Sequence, residues 1–112
     1  MTALNTLPAH QIARMIRAGD TSPSKVMAAH LDHIGTRETA VGAFQYLDAA
    51  RAMERAKKAD SLPASGPLFG VPFAIKDIID TDDMPTSWGS SIYAERQPDR
   101  NAACVQSFLD AG

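Results

Sequence analysis

The sequence lacks the features that define several protein classes. Its 112 residues include one cysteine, Cys104, so no internal disulfide framework can form and a reducing compartment is expected. Eleven basic and 13 acidic side chains leave a net charge of −2, which provides no basic surface for nucleic acid or anionic lipid. The sequence contains neither a bilayer-length apolar run nor a secretory signal. These absences favour a soluble, cytoplasmic protein that binds neither nucleic acid nor membrane.

Three patterns resemble binding sites but lack required parts. His30 and His33 share a helix face without an evident third ligand, whereas zinc takes three or four. The acidic run that begins at Asp80 lacks the glycine and glutamate of a calcium loop. Lys25 is the only basic residue early in the second helical pattern, which disfavours a DNA-binding helix-turn-helix. We therefore predict no metal site and no cofactor, with Cys104 as a small core residue.

Residues 1–35 are predicted to form a helical hairpin. Apolar residues recur at helical spacing over 8–18, and Gly19 provides a natural stop. Ser22 can cap a second helix whose first residue is proline, and Gly35 can end it.

Residues 41–112 are predicted to begin an α/β core. Apolar and β-branched residues predict strands at 41–47 and 71–79, around an alanine-rich helix capped by Asp48. Asn101 can cap a last helix that ends at Asp110. This alternation predicts an α/β fold with a mixed sheet. Because two strands make a poor sheet, the chain is expected to be an incomplete part of one domain.

Lys76 is the residue most suggestive of chemistry. An ammonium in an apolar strand is costly to bury unless it is paired or neutralised. A desolvated lysine can serve as a general base. From this pattern alone, a Lys76–Asp77 pair that reaches solvent at the end of a strand is the commoner arrangement.

The run GPLFGVPFAIKD at residues 66–77 closely resembles the GPLxGxPxxxKD motif of the amidase-signature family. The similarity continues through the alanine-rich helix, the MPTSWGS segment that starts at Met84 and the final NAACVQSFLDAG stretch. It covers almost the whole chain, in the order in which the family has these features. The resemblance identifies residues 1–112 as the N-terminal part of a single amidase-signature domain.

The resemblance implies an amidase that hydrolyses the C–N bond of a small-molecule carboxamide without a cofactor. Its mechanism uses a Ser–cis-Ser–Lys triad, in which Lys76 would be the base, buried beside the two serines. The family's serines lie several dozen residues further on, so the chain alone is expected to be inactive. Ser87, Ser90 and Ser91 map to an upstream loop and are not assigned as nucleophiles.

Two alternatives stay open at this point. Residues 83–105 resemble small-molecule amidases somewhat more than the family subunit that amidates glutamyl-tRNA. The chain can also be a non-catalytic interaction module derived from the same family, with a homodimer formed through its first two helices.

Overall fold

A computed structural model describes residues 2–112 and divides the chain into two compact units. The helical unit comprises the chain through Pro72 together with Ala111–Gly112, and the loop unit is Phe73–Asp110. The helices are α1 (Ala9–Ala18), α2 (Pro23–Val41), α3 (Ala49–Asp60) and α4 (Ala103–Asp110), with 3₁₀ turns at Leu4–Thr6 and Ser91–Tyr93. No helix in the described part of the chain is long and apolar enough to cross a membrane.

The predicted mixed α/β sheet is wrong, because residues 2–112 contain no strand. The first predicted strand, 41–47, instead includes the end of α2 and irregular chain. The second, 71–79, is irregular up to Lys76 and then turns. A strand exists only when its N–H and C=O groups pair with a neighbour, and a β-like composition does not provide that neighbour.

The predicted helix starts and stops are confirmed where their causes are local. Gly19 ends α1 in the left-handed conformation, with φ of 81°. The Ser22 hydroxyl accepts the N–H three residues later at 3.4 Å, and Pro23 is the first residue of α2. Asp48 Oδ1 accepts the N–H three residues later at 2.9 Å, at the start of α3.

The predicted end of α2 at Gly35 is wrong. The helix continues to Val41 and ends at Gly42, whose φ is 61°. The Gly42 N–H donates to the Glu38 carbonyl at 2.7 Å. The Glu38 carboxylate also accepts the Phe44 N–H at 2.7 Å, which stabilises this later end. A glycine inside a helix costs only about 1 kcal/mol, so Gly35 does not stop it.

The core of the helical unit lies where α1, α2 and the first half of the 66–77 motif meet. Four buried apolar side chains form it: Ile12, Ile16, Val26 and Phe69. Gly70 adjoins this core with φ of +75°, and a Cβ there would lie 2.7 Å from Pro23 Cγ and 2.9 Å from Ile16 Cδ1. This motif glycine is therefore required by both conformation and space.

The same stretch of the motif is also held to the end of the chain by its backbone. The Leu68 N–H donates to the Ala111 carbonyl and the Gly70 N–H to the Gly112 carbonyl, each at 2.9 Å. Two hydrogen bonds of this kind fix a loop without forming a strand ladder. The first half of the motif therefore has a structural role in the helical unit.

In the loop unit, α4 is only partly packed. Val105 is buried as predicted, and the rings of Phe73 and Phe108 stack with centroids 5.0 Å apart. Phe108 and Leu109 were predicted to face inward, but they are 47% and 37% exposed. Helical spacing identifies an apolar face without supplying the surface that covers it.

Gly70→Ala is expected to lower the free energy of unfolding by roughly 1–3 kcal/mol, because it combines backbone strain with overpacking. Gly35→Ala is the matched control. It lies inside α2 with nothing within 4 Å of the added Cβ, and should stabilise the chain by up to about 1 kcal/mol. Urea unfolding followed by circular dichroism measures both. Equal destabilisation by the two variants would contradict the helix boundary and the packing described here.

Candidate active-site segment around Lys76 and Asp77

The Lys76 side chain is exposed, so the predicted burial of this lysine in a strand is wrong. Its backbone carbonyl accepts the Ile79 N–H at 2.9 Å, which closes a turn over residues 76–79. Its ammonium has no hydrogen-bond or ion-pair partner within the described chain. The turn thus holds the lysine backbone and leaves the amine accessible.

Asp77 accepts hydrogen bonds from three consecutive residues ten to twelve positions along the chain. Its Oδ1 accepts the Ser87 N–H at 2.7 Å, and its Oδ2 accepts the Ser87 hydroxyl and, at 3.2 Å, the Gly89 N–H. Its backbone carbonyl accepts the Trp88 N–H at 2.9 Å. Together these four hydrogen bonds fasten the 87–89 turn to the residue that follows Lys76.

The charge on Asp77 is stabilised by the donors of this turn. The Ser87 hydroxyl has the largest effect, followed by the Ser87 N–H, and both lower the pKa of the Asp77 carboxyl. Desolvation raises that pKa, and the Gly89 N–H lowers it further. The net result is a pKa below the ordinary value, because hydrogen bonds to the ionised form favour it.

Trp88 forms the tip of the 87–89 turn in a conformation that side chains rarely adopt, with φ of 54°. The Arg96 guanidinium lies 4.2 Å from the centre of its ring. Tyr93 meets the indole edge-on, with centroids 5.0 Å apart at 65°. A cation over the ring face and an aromatic edge are both favourable arrangements, and they offset part of the backbone strain.

Arg96 also links this turn to the acidic run. It forms a two-pronged ion pair with the Asp80 carboxylate, with N–O distances of 2.7 and 2.9 Å. The hydrogen bonds of this pair lower the pKa of Asp80 and raise the pKa of Arg96. The Arg96 carbonyl accepts the Thr86 N–H at 2.9 Å. The loop unit is therefore ordered by polar contacts more than by a large apolar core.

The side chain of Asn101 does not act as the predicted helix cap. Its Oδ1 accepts the Asp82 N–H at 2.9 Å, and α4 begins two residues later. In addition, the Ala102 N–H donates to the Asp80 carbonyl at 2.9 Å. The residues before α4 therefore bind the acidic turn.

A cleft of about 390 Å³ opens within the loop unit. Lys76 is not among its lining residues, which are Ile78, Ile79, Asp80, Trp88, Arg100, Asn101, Ala102 and Cys104. Cys104 is exposed here, so the prediction that it is a core residue is wrong. A helical position next to buried Val105 was not sufficient to bury it.

The three loop serines lie in different surroundings. Ser87 is buried and its hydroxyl donates to Asp77, whereas the Ser90 hydroxyl accepts the Ile92 N–H at 3.3 Å. Ser91 is exposed. A buried hydroxyl that donates to a carboxylate has a structural use of its own.

The predicted histidine pair divides between two environments. His30 is partly buried, and its Nδ1 lies 2.8 Å from the Val26 carbonyl oxygen, whereas His33 is exposed. Across residues 2–112, no group of three or more histidine, cysteine or acidic side chains is placed to hold a metal ion.

An accessible amine on an ordered turn can accept a proton from a group that is brought to it. A family model described as Amidase matches residues 25–112, which is most of the chain and includes this segment. The chain therefore belongs to the amidase family, and the sequence-based identification of the family is confirmed.

Similar curated proteins share one name, which describes a subunit of glutamyl-tRNA(Gln) amidotransferase. The chain is 41% identical over 116 residues to that of Acidothermus cellulolyticus, a match that covers 100% of this chain and 23% of the relative. It is 36% identical over 116 residues to that of Salinispora tropica, covering 100% and 24%. That of Nocardia farcinica is 39% identical over 97 residues, covering 82% and 20%. The chain thus spans about a quarter of the length of the curated relatives it matches.

Acid is expected to loosen the loop unit. Because the pKa values of Asp77 and Asp80 are lowered in the folded chain, their stabilisation is present above the ordinary aspartate pKa of about 3.9. It is lost as pH falls through the lowered folded values. Trp88 is the only tryptophan, so its fluorescence should shift to the red between about pH 4 and pH 2.

Asp77→Asn should show this red shift already at pH 6, because the amide cannot accept from all three donors. Asp20→Asn, a change in the helical unit, is the control and should behave like the unsubstituted chain. Identical emission from the Asp77 variant and the unsubstituted chain at every pH would contradict the role given to this carboxylate.

Proposed function

We propose that Lys76 is the general base of an amidase that hydrolyses carboxamide C–N bonds through a Ser–cis-Ser–Lys triad. One observation carries the proposal beyond family membership: the lysine of the KD pair has an accessible, unpaired amine on a fastened turn. A base must reach the proton it takes, and an amine held in an ion pair would be less free to do so.

The proposed chemistry moves one proton through two hydroxyls. Neutral Lys76 takes a proton from the bridging serine, which takes one from the nucleophilic serine as that oxygen attacks the amide carbonyl. Collapse of the tetrahedral intermediate breaks the C–N bond and releases ammonia or an amine, after protonation of the nitrogen. Water then hydrolyses the acyl-enzyme. Both serines belong to a segment that would follow these 112 residues in an amidase.

A second function is supported by the names of the relatives. In an amidotransferase subunit that serves glutamyl-tRNA(Gln), the same lysine would promote release of ammonia from an amide donor. This candidate and a small-molecule amidase share the base and the acyl-enzyme, and they differ in the acceptor of the released nitrogen.

Lys76 can be tested in a chimera in which these 112 residues replace the aligned segment of the Acidothermus relative. Lys76→Ala should lower the rate of ammonia release by about 10²–10⁴-fold, because general base catalysis is worth that much. Lys57→Ala, which removes another exposed lysine, is the matched control and should retain full activity. Turnover by the Lys76 variant within about twofold of the parent chimera would refute the assignment.

The 112-residue chain alone is expected to release no ammonia from carboxamides, because none of its residues is proposed as the nucleophile. Ammonia release above background by the purified chain, lost in Ser87→Ala or Ser91→Ala, would show that a loop serine acts instead.

The two candidate functions differ in what turnover requires. A small-molecule amidase encoded by the longest reading frame around these residues should hydrolyse short carboxamides by itself. An amidotransferase subunit should release ammonia efficiently only with glutamyl-tRNA and its partner subunits present. The assay compares ammonia release with and without those additions.

A further inference from the structure

We propose that Asp77 is a positioning residue for Lys76, which fixes the backbone of the lysine by fastening the 76–79 turn to the 87–89 turn. The catalytic meaning of this inference rests on the proposed function, whereas the structural claim does not. The sequence motif pairs these two residues, and the structure gives the second a task distinct from that of the first.

The Lys76 backbone is constrained on its C-terminal side by two sets of hydrogen bonds. Its own carbonyl accepts the Ile79 N–H at 2.9 Å. The next residue, Asp77, accepts from Ser87, Trp88 and Gly89 through both its carboxylate and its carbonyl. Rotation of the peptide between Lys76 and Asp77 would break several of these bonds at once, so the Cα–Cβ direction of the lysine is held.

The carboxylate of Asp77 is directed at the 87–89 turn. Both of its oxygens accept hydrogen bonds there, and the Ser87 hydroxyl and N–H occupy one side each. No ion pair joins Asp77 to the Lys76 ammonium within the described chain. The geometry therefore favours a mechanical role for this carboxylate over charge stabilisation of a protonated lysine.

Ser87 is the partner that makes the fastening specific. Its side chain is only 4% exposed, and it supplies two of the four donors to Asp77. Ser87→Ala removes the hydroxyl donor while leaving the charge of Asp77 intact, which separates the mechanical role from an electrostatic one. Ser91 lies in the same loop, is exposed and does not contact Asp77, so Ser91→Ala is the matched control.

The first test measures amide hydrogen exchange at Ile79 in the 112-residue chain by NMR. The Ile79 N–H donates to Lys76 and not to Asp77, so it reports on the lysine turn itself. Exchange there should accelerate by about tenfold or more in Asp77→Asn and Ser87→Ala and stay unchanged in Ser91→Ala. Equal rates at Ile79 in all four proteins, fast or slow, would overturn the inference.

The second test measures steady-state kinetics in the Acidothermus chimera. Ser87→Ala and Asp77→Asn should each lower kcat by about ten- to a hundredfold, since small misplacement of a catalytic group has costs of this size. KM should stay within about twofold, and the pH at which activity falls on the acid side should not move in Ser87→Ala. The double variant should be little worse than either single variant, because both remove the same linkage.

The outcomes separate the two proposals. If Lys76→Ala is inactive while Ser87→Ala and Asp77→Asn retain full kcat, the base assignment stands and the positioning inference fails. If only Asp77→Asn loses activity and its acid limb shifts, Asp77 acts through charge and the inference also fails. If Lys76→Ala retains turnover, the proposed function fails, and the exchange rates at Ile79 alone decide whether Asp77 fastens the turn.

Discussion

The hydrogen bonds between the Asp77 carboxylate and residues 87 and 89 are the constraint on which the loop unit depends. This unit has few buried apolar side chains, so its conformation rests on polar contacts that link distant positions. Asp77 joins the lysine turn to the Trp88 turn, and Arg96 joins the Trp88 ring to Asp80. Loss of a central acceptor leaves several donors unsatisfied together, so such networks tend to fail as a whole.

The 66–77 motif divides between two tasks. Its first half packs against the core of the helical unit, where Gly70 supplies a positive φ and the space that Pro23 and Ile16 occupy. Its second half belongs to the loop unit and carries Lys76 and Asp77. Sequence similarity treats the motif as one signal, whereas the structure shows that its glycines serve folding and its KD pair can serve chemistry.

Sequence reasoning succeeded where a few neighbouring residues decide the outcome. The Ser22 and Asp48 caps and the Gly19 stop each depend on contacts within about four residues. It failed for the strands, because a strand needs a partner that composition does not reveal. It also failed at Gly35, where a weak local preference for ending the helix gave way to the Glu38 contacts at Gly42.

The candidate site was only partly visible in the sequence. Lys76 stood out as a cation in an apolar run, and the resemblance gave it a role that remains a prediction. The task of Asp77 was missed, because its donors lie ten to twelve residues away in an irregular segment. The available signal was an aspartate followed by a Ser-Trp-Gly turn, whose small residues and N–H groups can surround a carboxylate.

The most direct test of the account is covalent labelling of the Acidothermus chimera with a fluorophosphonate, followed by mass spectrometry. If Lys76 activates a serine, the label should attach to one serine outside these 112 residues, and Lys76→Ala should slow labelling by about 10²-fold or more. Labelling at Ser87, Ser90 or Ser91, or an equal rate in the Lys76 variant, would contradict the account.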